Sequence, residues 1–122
     1  MARILICEPH ADIRTMLSFV VRRLGHEPIV SDGSHDQLFG VDAIVVEPGC
    51  DASLATAEWA REHTPEIAIV CTSIYPASHR SQTLRPDAYL LKPFPLYELE
   101  NALATALAER VARAGGSLLE QV

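Results

Sequence analysis

Five short apolar runs recur along the chain: Ile4 to Cys7, "EPIV" at 27–30, "VDAIVV" at 41–46, "IAIVC" at 67–71 and "AYLL" at 88–91. Their length and β-branched content predict strands, and the third run is apolar enough to be buried on both faces. Between them the period lengthens. Ile13, Met16, Leu17, Val20 and Leu24 recur at helical spacing up to Gly25, which suits the position just past a helix end. "SDGSHDQLFG" predicts a turn with at most a short helix, and residues 52–63 carry enough helix formers for a second helix that stops at "TPE" (64–66). A weaker helix fits 77–84, hemmed in by Pro76 and Pro86. The strongest opens at Pro95, is striped by Leu96, Leu99, Leu103, Leu107 and Val111, and is expected to end at "AGGS" (114–117).

Strands alternating with helices imply an α/β domain with a parallel sheet covered on both faces. Ligands of such sheets sit outside the carboxyl ends of the strands. The residues placed there are Cys7-Glu8-Pro9-His10, Glu47-Pro48-Gly49, Thr72-Ser73 and Lys92-Pro93. No glycine-rich phosphate loop follows the first strand, which disfavours a dinucleotide fold. Alternation turns Cys7 and Cys71 away from the site and into the core.

Composition narrows the class. A chain of 122 residues with 48% apolar and 21% charged residues is expected to form one globular domain. Its net charge of −6, with scattered Lys and Arg, gives nucleic acid no basic surface. No stretch approaches a membrane span and no signal peptide pattern opens the sequence, so a cytoplasmic protein is expected. Cys7, Cys50 and Cys71 are odd in number and lack CxxC spacing, which points to free thiols.

The acid after strand one, the acid after strand three, Thr-Ser after strand four and Lys-Pro-Phe after strand five resemble, in that order, the receiver domain of two-component response regulators. "ILICEPHADIR" (4–14) and "AYLLKPF" (88–94) carry the resemblance most specifically, and it spans about residues 3–110. It implies a flavodoxin-like (βα)5 three-layer sandwich with strand order 2-1-3-4-5, over residues 1–113. Residues 114–122 then form a tail or the start of a linker. In the family, acids after strands one and three hold Mg²⁺, the third-strand Asp takes a phosphoryl group from a histidine kinase, and a Thr or Ser and a Lys bind the phosphoryl oxygens. Such a transfer depends on cations placed in advance around spreading negative charge.

Carried over position by position, the resemblance puts Glu8 at the first acid, Pro9 where the second acid belongs, and Glu47 at the phosphoacceptor. Thr72 and Lys92 take the phosphate-binding positions, Tyr89 the switch aromatic, and the Gly49 carbonyl the backbone metal ligand. Pro93 is expected to follow a cis bond. The acid side is degenerate: Pro9 has no side-chain ligand, and Glu47 is longer than Asp by roughly 1.5 Å. A misplacement of about 1 Å can cost on the order of a hundredfold in rate. The resemblance with these departures implies a pseudo-receiver: a protein-interaction module, not an enzyme, with Mg²⁺ binding weak or absent and no other cofactor. Its expected contact is a signalling protein, through the face formed in the family by helix four, strand five and helix five. That face is also compatible with homodimerisation.

Two rivals follow from the same residues. A working phosphoreceiver would need to tolerate the changes or use a neighbour such as Asp51. A cofactor-binding flavodoxin-like domain would use "EPHADI" (8–13) as cobalamin proteins use Asp-x-His-x-x-Gly, but Ile13 stands where that glycine belongs. For Glu47, a phosphoaspartate mimic competes with simple pairing to Lys92, and pairing is favoured because one carboxylate carries less charge and fewer oxygens than a phosphoryl group. His10, His35 and His79 are expected to be solvated loop residues, and Trp59 is expected to pack along its helix.

Overall fold

A computed structural model describes the backbone of residues 1–120 and the side chains through residue 114. The strands are β1 (Arg3–Cys7), β2 (Glu27–Val30), β3 (Ala43–Val46), β4 (Ala68–Ser73) and β5 (Ala88–Leu91). The helices are α1 (Ala11–Arg23), α2 (Asp51–His63), α3 (His79–Gln82) and α4 (Leu96–Glu120), with a short 3-10 turn at His35–Leu38. All strand pairings are parallel, in the order β2-β1-β3-β4-β5. The architecture is the flavodoxin-like (βα)5 sandwich.

Strand alternation builds two cores. Ile4, Ile6, Ala43, Val45, Ala68 and Val70 face α1 and α4, where they meet Leu17, Val20, Leu99 and Leu103. Leu5, Cys7, Ile44, Val46, Ile69 and Cys71 face the other way, against Leu54, Ala57 and Ala60 of α2. β1, β3 and β4 are buried on both faces, which is why their sequences read as unbroken apolar runs. Burial pushes the Cys7 and Cys71 thiols up to about 12, despite an opposing hydrogen bond from Ser31 to Cys7.

Several boundaries differ from the sequence expectation. β4 runs to Ser73, two residues beyond the predicted 67–71, so Thr72 and Ser73 are part of the strand. α3 shrinks from 77–84 to one turn, closed at its start by the reciprocal Ser78–Ser81 capping box. α4 does not stop at 114–117 but continues to Glu120, so the backbone through residue 120 is helix; residues 121–122 lie outside those described. Each glycine costs a helix about 1 kcal/mol, a penalty that a continuing helix can absorb. Gly25 takes φ +86° after α1, as the predicted helix end requires. His35 is exposed but not free: its ring stacks on Trp59 at 4.2 Å, and His63 stacks on Trp59's indole at 3.9 Å.

The pole where strands begin is tied down by side chains. Buried Arg61 donates to the carbonyls of Pro65, Ile67, Leu84 and Arg85. Asp87 accepts from the Ile69 amide and from Arg113, while Asp42 accepts from the Arg3 amide and pairs with Arg110. Desolvation lowers the Arg61 guanidinium below its ordinary value, opposed by Asp87. Arg61→Met removes four charge-assisted hydrogen bonds at once and leaves buried carbonyls unpaired. It is expected to lower stability by about 3 kcal/mol, read as a drop in the urea midpoint with unchanged m-value.

Candidate functional site

At the opposite pole the strands end on the polar residues singled out above. Glu8 follows β1, Glu47 follows β3, and Lys92 follows β5, its amide bonded to the Ser73 carbonyl at 2.7 Å. The Lys92 ammonium donates to Glu8 Oε1 and, at 3.3 Å, to Glu47 Oε2. The three side chains are only 1%, 9% and 12% exposed, for Glu8, Glu47 and Lys92 respectively. One ammonium between two carboxylates leaves a net charge of −1, and burial of this kind is tolerable only because each charge has an opposite partner. The Lys92–Pro93 peptide bond is cis.

The remaining carboxylate oxygens are also engaged. Glu8 Oε2 accepts from the His10 amide at 3.2 Å and lies 3.3 Å from His10 Nδ1, so His10 is turned onto Glu8 instead of into solution alone. Glu47 Oε1 accepts from the Ser73 hydroxyl at 3.0 Å. Ser73 Oγ in turn accepts from the Tyr75 amide at 3.1 Å, and the Tyr75 carbonyl accepts from the Tyr89 hydroxyl at 2.7 Å. Partial burial raises the Tyr89 phenol above its ordinary value, and the charge of Glu47 adds to the effect.

The hydroxyl that reaches the carboxylates is therefore that of Ser73, not Thr72. Thr72 has the parity of Ala68 and Val70, is fully buried, and its Oγ1 has no hydrogen-bond partner. Ser73 ends the strand, and its turn onto the Tyr75 amide carries the hydroxyl over the sheet edge. The resemblance assigned this role to Thr72; choosing Ser73 instead needs the point at which β4 ends. Asp51 opens α2 and pairs with Arg80 at 2.8 Å, so it is not joined to Lys92.

As a magnesium site the cluster does not fit. The ion wants near-octahedral oxygens, including free carboxylates. Here one ammonium sits on both carboxylates, and Pro9 adds no side-chain ligand. Among the described residues no group of three or more His, Cys, Asp or Glu is placed to hold a metal. Gly49 packs closely against the Glu47 carboxylate: a Cβ there would stand 2.7 Å from Glu47 Oε1.

An open apolar groove of about 390 Å³ adjoins Lys92, lined by Ile13, Met16, Ile74, Pro93 and Phe94. Ile74, Tyr75, Leu91 and Tyr97 each expose half or more of their surface. No helix among the described residues is long and apolar enough to cross a membrane.

Solved structures with the same fold include response-regulator receiver domains. The chain superposes on NtrX from Brucella abortus with TM-score 0.81 at 20% identity, covering 97% of this chain and 29% of that one. It thus spans under a third of NtrX. It also matches a CheY-like response regulator receiver domain protein from Methanospirillum hungatei JF-1 (TM-score 0.78, 17% identity, 93% of this chain and 98% of that one). A third match is the response regulator TrrA from Thermotoga maritima, solved with Mg(2+)-BeF (TM-score 0.71, 21% identity, 87% of this chain and 99% of that one). No family model matches the sequence, and no curated protein matches it. The chain has the receiver fold.

Two outcomes are expected from this geometry. Lys92→Met leaves two carboxylates buried side by side and should cost about 3 kcal/mol in chemical unfolding. Among the thiols, Cys50 should react first with iodoacetamide at pH 8. It is partly exposed at the start of α2, where the Ser53 hydroxyl and amide pull its thiol below the ordinary value, while Cys7 and Cys71 should label only after unfolding.

Proposed function

We propose that this chain is a receiver-like module of a two-component signalling system that takes no phosphoryl group by the usual route and acts by binding another protein. The observation that carries the reading is the Lys92 ammonium held by both Glu8 and Glu47. In phosphoryl transfer the lysine and the metal must meet the incoming charge. Here the lysine is already neutralised, the acceptor position is a glutamate, and Pro9 stands where a second metal-binding acid would be.

A protein contact is supported by the exposed apolar residues of the loop after β4, of β5 and of the start of α4. β5 and α4 take the places of the family's strand five and helix five, and the loop leads into α3, which takes that of helix four. An apolar surface of this kind is a usual mark of a partner site. The fold and the absence of a basic stripe go with a cytoplasmic signalling role without direct nucleic-acid contact.

The test is an amide NMR titration with Mg²⁺ and then with beryllofluoride, the phosphoryl mimic found with TrrA. Resonances of Glu8, Glu47, Ser73 and Lys92 should stay in place at millimolar ligand. The double variant Pro9→Asp, Glu47→Asp should acquire binding, seen as concerted shifts at those positions. Saturable shifts in the parent protein would show a working phosphoreceiver and defeat the reading.

A further inference from the structure

Two of the cysteines share one cavity. An open cleft of about 320 Å³ lies between the end of β1, the loop after β2 and the start of α2, and Cys7 and Cys50 both line it, with Ser31, Ser53 and Thr56. Cys7 ends β1 and turns its side chain toward the sheet face that α2 covers. Cys50 is brought to it by a short relay of backbone hydrogen bonds. The Glu47 amide donates to the Cys7 carbonyl at 2.9 Å, and the Cys50 amide donates to the Glu47 carbonyl at 3.2 Å, so Glu47 alone stands between the cysteines on that path.

The two thiols differ in kind. Cys50 is partly exposed beside the Ser53 hydroxyl and the first amides of α2, which lower its thiol below the ordinary value and suit it to meet an oxidant. Cys7 is only 2% exposed, and burial holds its thiol up at about 12, so it reacts with what the fold brings to it. An accessible, lowered thiol poised next to a second cysteine is the arrangement of a redox-sensing pair.

We propose that Cys50 and Cys7 form an oxidation site, in which Cys50 takes an oxygen from a peroxide and Cys7 then closes on it as an intramolecular disulfide. The Cys50 thiolate attacks one oxygen of hydrogen peroxide: an S–O bond forms, the O–O bond breaks, and the leaving hydroxide takes up the proton that Cys50 released. Cys7 attacks the resulting sulfenic sulfur; the S–S bond forms, the S–O bond breaks, and the Cys7 proton leaves with the hydroxyl as water. The thiols are oxidised to the disulfide and the peroxide is reduced to water. Because little Cys7 is thiolate, the second step is the slower. The crosslink ties the end of β1 to the start of α2, next to Glu8 and three residues from Glu47, and requires nothing of the phosphoryl reading.

The test is exposure of the full chain to hydrogen peroxide at neutral pH, followed by intact mass and non-reducing peptide mapping, with Cys7→Ala, Cys50→Ala and Cys71→Ala alongside. The parent and Cys71→Ala should lose two hydrogen atoms, yield linked peptides carrying Cys7 and Cys50, and return to the starting mass with dithiothreitol. Cys7→Ala should stop at the sulfenic acid, trapped on Cys50 by dimedone, and Cys50→Ala should stay unchanged at the same dose. A parent that keeps Cys7 free while Cys50 ends as a dimedone adduct or sulfinic acid overturns the proposal. So does a disulfide to Cys71 or one between two molecules. The parent's peptide map decides these outcomes even if a variant fails to fold.

Discussion

Two carboxylates and one ammonium share a nearly dry space at the carboxyl ends of three parallel strands, and the site is organised around that constraint. A buried carboxylate is costly when unpaired, and a pair of them more so. Lys92 reaches both because β5 ends beside β4, which ends beside β3, which ends beside β1; the parallel order delivers the three groups to one edge. Hydrogen bonds from His10 and Ser73 then occupy oxygens that the ammonium leaves over.

On the proposed reading, the same constraint sets this site apart from one prepared for an incoming anion. A phosphoryl-binding site holds uncompensated positive charge in advance, whereas here the cation is compensated beforehand with a carboxylate in excess. The hydrogen bonds at this edge hold a loop and an aromatic in place. That loop exposes the apolar side chains of Ile74 and Tyr75.

Much of this is legible in the sequence. The apolar runs marked the strands because β1, β3 and β4 are buried on both faces, and strand ends marked Glu8, Glu47 and Lys92 because polar residues there break the runs. The exchange of Thr72 for Ser73 was not legible, since the two are adjacent hydroxyls and the outcome depends on where β4 stops and turns. The stack of His35 on Trp59 joins residues far apart in sequence, with no local periodicity to announce it. The persistence of α4 through two glycines escaped for a different reason: helix propensity is a weak term that continuing backbone hydrogen bonds can outweigh.

The ties made by Arg61, Asp87 and Asp42 lie at the pole away from the carboxylates, where they join chain segments through backbone groups. The molecule is in effect clamped in a vise at its base. A disturbance at the site therefore has little room to spread as a shift of whole strands against one another. It is channelled into the loops at the free rim, strong in its local effect and quiet everywhere else.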